Sequence, residues 1–232
     1  MALTTNIGAN RVQWDLRHDV PPAFTHSFEI NANPGLTPTS PEGVLALPGV
    51  YTLRLTVNGA RSTQTSTVRN DPRSPARPVA LAAQHRLLMN ITDGMRAAWE
   101  GHPQAVALRE SASRAAGPSA APALRTSIDA LTATIDSLTG RAQGRGASRA
   151  GGNAPTFRAV SGSLTGQLTA QENADMAPTS TMIAATTATT KELRTLQQRW
   201  ARLVSADLSA INAVLAGSGL APIAAPRRFS RE

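Results

Sequence analysis

The chain has 232 residues, 41% hydrophobic and 3% aromatic, with no cysteine and a formal net charge of +8. That length admits one large domain or two small ones around a substantial core, which must be built mainly from Ala, Leu, Val and Ile. The lack of cysteine excludes disulfides, thiolate metal sites and cysteine nucleophiles, and no apolar run approaches the roughly 18 residues that would span a bilayer.

The positive charge is nearly all arginine, with Lys191 the single lysine. Residues 1–71 hold five Arg against five Asp or Glu, residues 72–154 ten basic against five acidic side chains, and residues 155–232 eight against five. An excess on the later two-thirds suits a partner carrying negative charge, whether nucleic acid, anionic lipid or an acidic protein face. Solvated arginine-rich faces are the plainer alternative.

Residues 1–10 carry no positive charge and no apolar run, so they do not read as a signal peptide. With Met1 as the native start, the expected location is cytoplasmic. From Asn10 to about Asp71 the hydrophobic period is two. In NRVQWDLR, Val12, Trp14 and Leu16 alternate with polar residues; FTHSFEI places Phe24, Phe28 and Ile30 in phase. In VYTLRLTV, Tyr51, Leu53, Leu55 and Val57 face one way and Thr52, Arg54 and Thr56 the other. Pro48-Gly49 reads as a turn before this strand, and Asn58-Gly59 as a type I′ hairpin turn into RSTQTSTVR. Asn31–Gly43, rich in Pro, Gly and Thr, reads as a loop. Such short strands predict a small antiparallel sandwich, with Trp14 as its large apolar body and Tyr51 nearby.

DPRSPARP, Asp71–Pro78, stops the strands, and its last proline can open a helix. The period then turns helical. Leu81, Gln84, Leu88, Ile91, Met95 and Ala98 form one stripe; Leu124, Ile128, Leu131, Ile135 and Leu138 form a second after Pro122. GRAQGRGASRAGGNAP interrupts, and Phe157, Val160, Leu164 and Leu168 make a third helix. The longest helix is predicted from Pro178-Thr179 to about Ala216, on a stripe of Leu193, Leu196, Trp200, Leu203, Leu208, Ile211 and Leu215, ended by Gly217 and Gly219. The helices pair in an antiparallel bundle.

Chemistry is harder to find. His18, His26, His85 and His102 share no metal-ligand spacing, and the chain has no HExxH, no GxxxxGK[ST] and no GxSxG. Asp129 and Asp136 share a helix face, which solvated surface explains better than a carboxylate pair in a cleft. No cofactor, metal or catalytic residue is expected. Arg141, Arg145 and Arg149, with no acid between Gly140 and Pro155, read either as contacts to phosphates or lipid head groups or as a solvated linker. Arg227 and Arg228 read the same way, as a partner contact or a basic tail.

NRVQWDLR, LPGVYTLRLTVNG, NDPR, AQHRLLMNITDG, ENADMAPT and DLSAINAVLAGSGLAPI occur in that order. The set resembles the C-terminal region of large exported bacterial proteins with a sortilin-like, sialidase-repeat β-propeller, where an Ig-like sandwich and a helical tail follow the propeller. The first part is also similar to the flagellar hook-cap Ig-like module. The propeller and its SxDxGxxW boxes are absent, so the resemblance transfers no catalytic residue. It implies an α+β chain, all-β then all-α: an Ig-like β-sandwich at 1–71, a Pro-rich linker at 72–77, a helical bundle at 78–221 interrupted by a Gly/Arg-rich loop at 140–155, and a basic tail at 222–232. The function expected is non-catalytic: an extrinsic scaffold subunit bridging parts of a larger, membrane-bound complex such as a respiratory or photosynthetic assembly, with anionic lipid as a second contact. The exported family implies a periplasmic or extracellular face. Rival expectations are a carbohydrate-binding accessory domain, which needs an exposed aromatic platform, and an arginine-driven nucleic-acid binder, which lacks interleaved aromatics.

Overall fold

Asn58 and Gly59 both adopt positive φ, 50° and 83°, so the hairpin predicted at this dipeptide forms with its type I′ turn. In a computed structural model of the chain, which describes residues 5–26, 39–115, 117, 121–140, 154–172 and 174–226, strand β1 (Gly49–Val57) pairs antiparallel with β2 (Ala60–Val68). The register runs from Val57↔Ala60 at the turn to Gly49↔Val68 at the base.

This two-stranded ribbon is the whole sheet among the described residues, so the Ig-like sandwich expected over 1–71 is not present. Its first strand fails for a local reason. In NRVQWDLR the Asp15 carboxylate accepts the Arg17 N–H at 3.0 Å, and Leu16 takes a φ of 62°, which together make a turn. Among the described residues its β pairing is limited to an isolated bridge, Arg17↔Leu45. Phe24–His26 are not in a strand, and the rest of the expected second strand lies outside the described residues. The ribbon itself offers no inner face for a second sheet, because β2 (ARSTQTSTV) has hydroxyls and an amide opposite the apolar residues of β1.

From Pro78 the expectation of helices holds. Helix α1 (Pro78–Ala115) has 38 residues and continues through Pro103, whose ring lies on the exposed side. It packs against α2 (Pro122–Thr139) and α3 (Phe157–Gln171), and α4 (Ser180–Arg202) closes the bundle. A π-helical turn (Leu203–Asp207) joins α4 to α5 (Leu208–Gly217), making one rod. All the residues of the second, third and fourth stripes are buried. In the first, Leu81, Leu88, Ile91, Met95 and Ala98 are buried, and α1 extends it with Ala105, Leu108 and Ala112.

Polar groups fix how the helices meet. Arg109 pairs with Asp136 at 2.6 Å between α1 and α2, and Arg199 donates to the Ser137 hydroxyl at 2.8 Å between α4 and α2. The Thr-rich start of α4 has its own partner: Thr186 donates to the Gln167 amide oxygen (3.1 Å), and that amide nitrogen donates to Thr189 (2.9 Å). Past α5, Gly219 is left-handed, and Asn212 clamps Ile223 with two hydrogen bonds of 3.0 and 2.8 Å. Ala23 and Val44 join the bundle's core, so the chain before the hairpin leans on the helices.

Candidate protein-interaction surface

The hairpin carries two dissimilar faces. Tyr51, Leu53, Leu55 and Val57 alternate onto one face of β1, opposite Ser66, Gln64, Ser62 and Ala60. The other face bears Thr52, Arg54 and Thr56 opposite Thr65, Thr63 and Arg61. Neither face is covered: Leu53 is 48% exposed, Leu55 46% and Val57 55%. Among the described residues no backbone hydrogen bond from elsewhere reaches either edge. The ribbon therefore presents apolar side chains and two rows of unpaired main-chain groups to its surroundings. An isolated two-stranded hairpin is marginal in water, so such an arm gains stability when something covers it.

Its base is held firmly. Trp14 is half-buried, meets the Tyr51 ring edge-on at 5.2 Å between centroids, and donates its indole N–H to the Arg17 carbonyl at 3.0 Å. Tyr51 donates its hydroxyl to the Leu47 carbonyl at 2.6 Å. Thus the expected neighbours Trp14 and Tyr51 do meet, as an anchor for the arm and not as a sandwich core. Arg17 pairs with Glu42 at 2.6 Å and Glu172 at 3.8 Å and donates to the Gly43 carbonyl at 2.7 Å. One guanidinium thereby links the N-terminal segment, the approach to β1 and the end of α3.

Beside it, His18 and His85 bring their Nε2 atoms to 3.1 Å. Burial, followed by the neighbouring His18, holds the His85 pKa below the ordinary imidazole range. A groove of about 220 Å³ next to this pair is lined by Val44, Leu81, Leu88, His85, Glu172 and Asp175. His102 packs edge-on to Phe24, its pKa lowered by burial and then by Arg158. His26 is exposed. Sequence spacing gave no sign of the His18–His85 contact, since the two are 67 residues apart.

Among the described residues no three His, Asp or Glu converge as metal ligands would. Asp129 is exposed, whereas Asp136 is engaged by Arg109, so the two carboxylates do not form a pair. Trp99 is exposed but leans on Phe24 at 4.8 Å, and no second exposed aromatic stands beside it among the described residues to make a sugar platform. The predicted contacts Arg141, Arg145, Arg149, Arg227 and Arg228 all lie outside the described residues. Leu53, Leu55 and Val57, which alternation placed on one face of the expected sandwich, are exposed, as are Val12 and Leu16. The signal that could have found this is the unbroken polar run Arg61–Thr67 in β2. Among the described residues no helix is long and apolar enough to cross a membrane. No family model matches the chain, and no curated protein or solved structure is significantly similar to it.

Proposed function

We propose that this chain is a non-catalytic assembly module, an extrinsic scaffold subunit that bridges components of a larger, membrane-associated complex. The observation that carries the reading is the uncovered hairpin, fixed at its base by Trp14, Tyr51 and Arg17 and bare along its length. A rigidly rooted arm with exposed leucines pays little conformational entropy on docking, which is what a permanent contact needs. The rod of α4 and α5 supplies a second, separate surface, and two surfaces permit bridging. The arginine excess after residue 71 favours an acidic or anionic setting for that second contact.

The test is native purification. The chain should co-elute with a larger complex at low salt, and Leu53→Lys with Leu55→Lys should release it while leaving the helical signal and melting temperature unchanged. Elution of the wild-type chain alone and monomeric at low salt sinks the reading.

A further inference from the structure

We infer that the outer edge of β1 receives an extended strand of a partner protein in which apolar and acidic side chains alternate. The inference rests on the assembly reading and specifies the partner of that same surface.

The register settles which groups are available. In a two-residue hairpin the pair flanking the turn, here Val57 and Ala60, exchanges both hydrogen bonds. Alternation then directs the N–H and C=O groups of Thr56, Arg54 and Thr52 outward, away from β2. These three residues form a ready template about 14 Å long. Only a strand satisfies such a row, because its own main-chain groups repeat at the same interval.

Chemistry selects the edge. A strand added to β1 would lie beside Leu53, Leu55 and Val57 on one face, and apolar cross-strand neighbours there remain out of water. Added to β2, it would meet Ser62, Gln64 and Ser66. On the other face it would lie next to Arg54, with Arg61 one strand further on. Between Gly49 and Arg69 the chain has three arginines, Arg54, Arg61 and Arg69, and no acidic residue. That imbalance asks for carboxylates from the partner. It also disfavours a second copy of the chain, since β1 against β1 would bring arginine towards arginine with no acid between them.

The probe is an eight-residue peptide of alternating valine and glutamate, added to the full chain and followed by amide chemical shifts, with a valine–lysine peptide as control. Binding of the glutamate peptide, with shifts centred on Thr52–Val57 and at least tenfold weaker in 0.5 M salt, is the expected result. Arg54→Glu with Arg61→Glu should invert the preference towards the lysine peptide. Thr52→Pro removes an outward N–H while sparing the ladder, and should weaken binding at least tenfold with the melting temperature unchanged. Shifts on β2 or the bundle alone, equal binding of both peptides, or concentration-dependent dimerisation through β1 would overturn the proposal. If the native partner is lost with the Leu53 and Leu55 substitutions but retained by both Thr52→Pro and the charge reversal, the strand edge is refuted and the assembly reading stands.

Discussion

His18 and His85, 67 residues apart, share a hydrogen bond between their Nε2 atoms at 3.1 Å, tying the segment before the hairpin to α1. The bond needs one N–H and one lone pair, so the accepting ring must be neutral. Glu172, Asp175 and Arg69 line the adjoining groove, with Arg17 held between Glu42 and Glu172.

The pH dependence follows from the direction of the shifts. His85 and His102 both titrate below the ordinary imidazole value in the folded chain, so between the folded and unfolded values the unfolded chain binds more protons. Their contribution is complete above about pH 6.5 and is lost as pH falls through the folded values. Melting temperature should therefore drop between pH 7 and pH 5, and His85→Gln should flatten part of that slope, leaving the part due to His102. An unaltered slope in the variant would show that His85 does not contribute to it.

Trp14→Ala removes an edge-on ring contact and one indole hydrogen bond from a half-buried site. Each is worth on the order of 1 kcal/mol, so the cost should be about 1–2 kcal/mol, less than the roughly 3–5 kcal/mol of a fully buried aromatic. Hydrogen exchange should accelerate through Gly49–Leu53 while the helices keep their protection. Global unfolding would mean that Trp14 supports the bundle as well as the arm.

Gly101 and Gly162 make a contrasting pair. A Cβ on Gly101 would lie 2.6 Å from the ring of Phe157, which is fully buried and has nowhere to move. Gly101→Ala should cost about 1–3 kcal/mol despite the better helix propensity of alanine, and Phe157→Leu should relieve it in part. At Gly162, on the exposed side of α3, a Cβ meets nothing within 4 Å. There the same change should stabilise by roughly 0.5–1 kcal/mol. Thermal melts of the two variants should move in opposite directions.

The helices were legible because each stripe repeats for several turns and burial follows the period directly. Even the π turn left a trace: Leu203 and Leu208 are both buried but five apart, a step that overshoots a 3.6-residue turn and needs one wider turn to stay in line. The sandwich was misread because alternation in NRVQWDLR and VYTLRLTV says where side chains alternate, not whether a second layer exists. Asp15 diverted the first segment into a turn, and β2 lacked the apolar residues that a second sheet would have covered. Contacts made by Arg17 and His18 join segments far apart in the chain, and no local pattern encodes them.

Charge reversal separates the two surfaces that a bridging subunit would use. Salt weakens the arginine contacts of both, since exposed charges are screened within about 8 Å at physiological ionic strength. If the arginines of the Gly140–Pro155 stretch hold one partner, charge reversal at Arg141, Arg145 and Arg149 should release that component at lower salt while the hairpin's partner stays bound. The helical signal should not change, because the buried stripes of α2 and α3 run over Leu124–Leu138 and Phe157–Leu168, away from the substituted positions in the chain. Co-purification of the triple variant across a salt gradient reads this directly: unchanged salt tolerance of every component assigns the stretch to a linker and leaves the hairpin as the binding element.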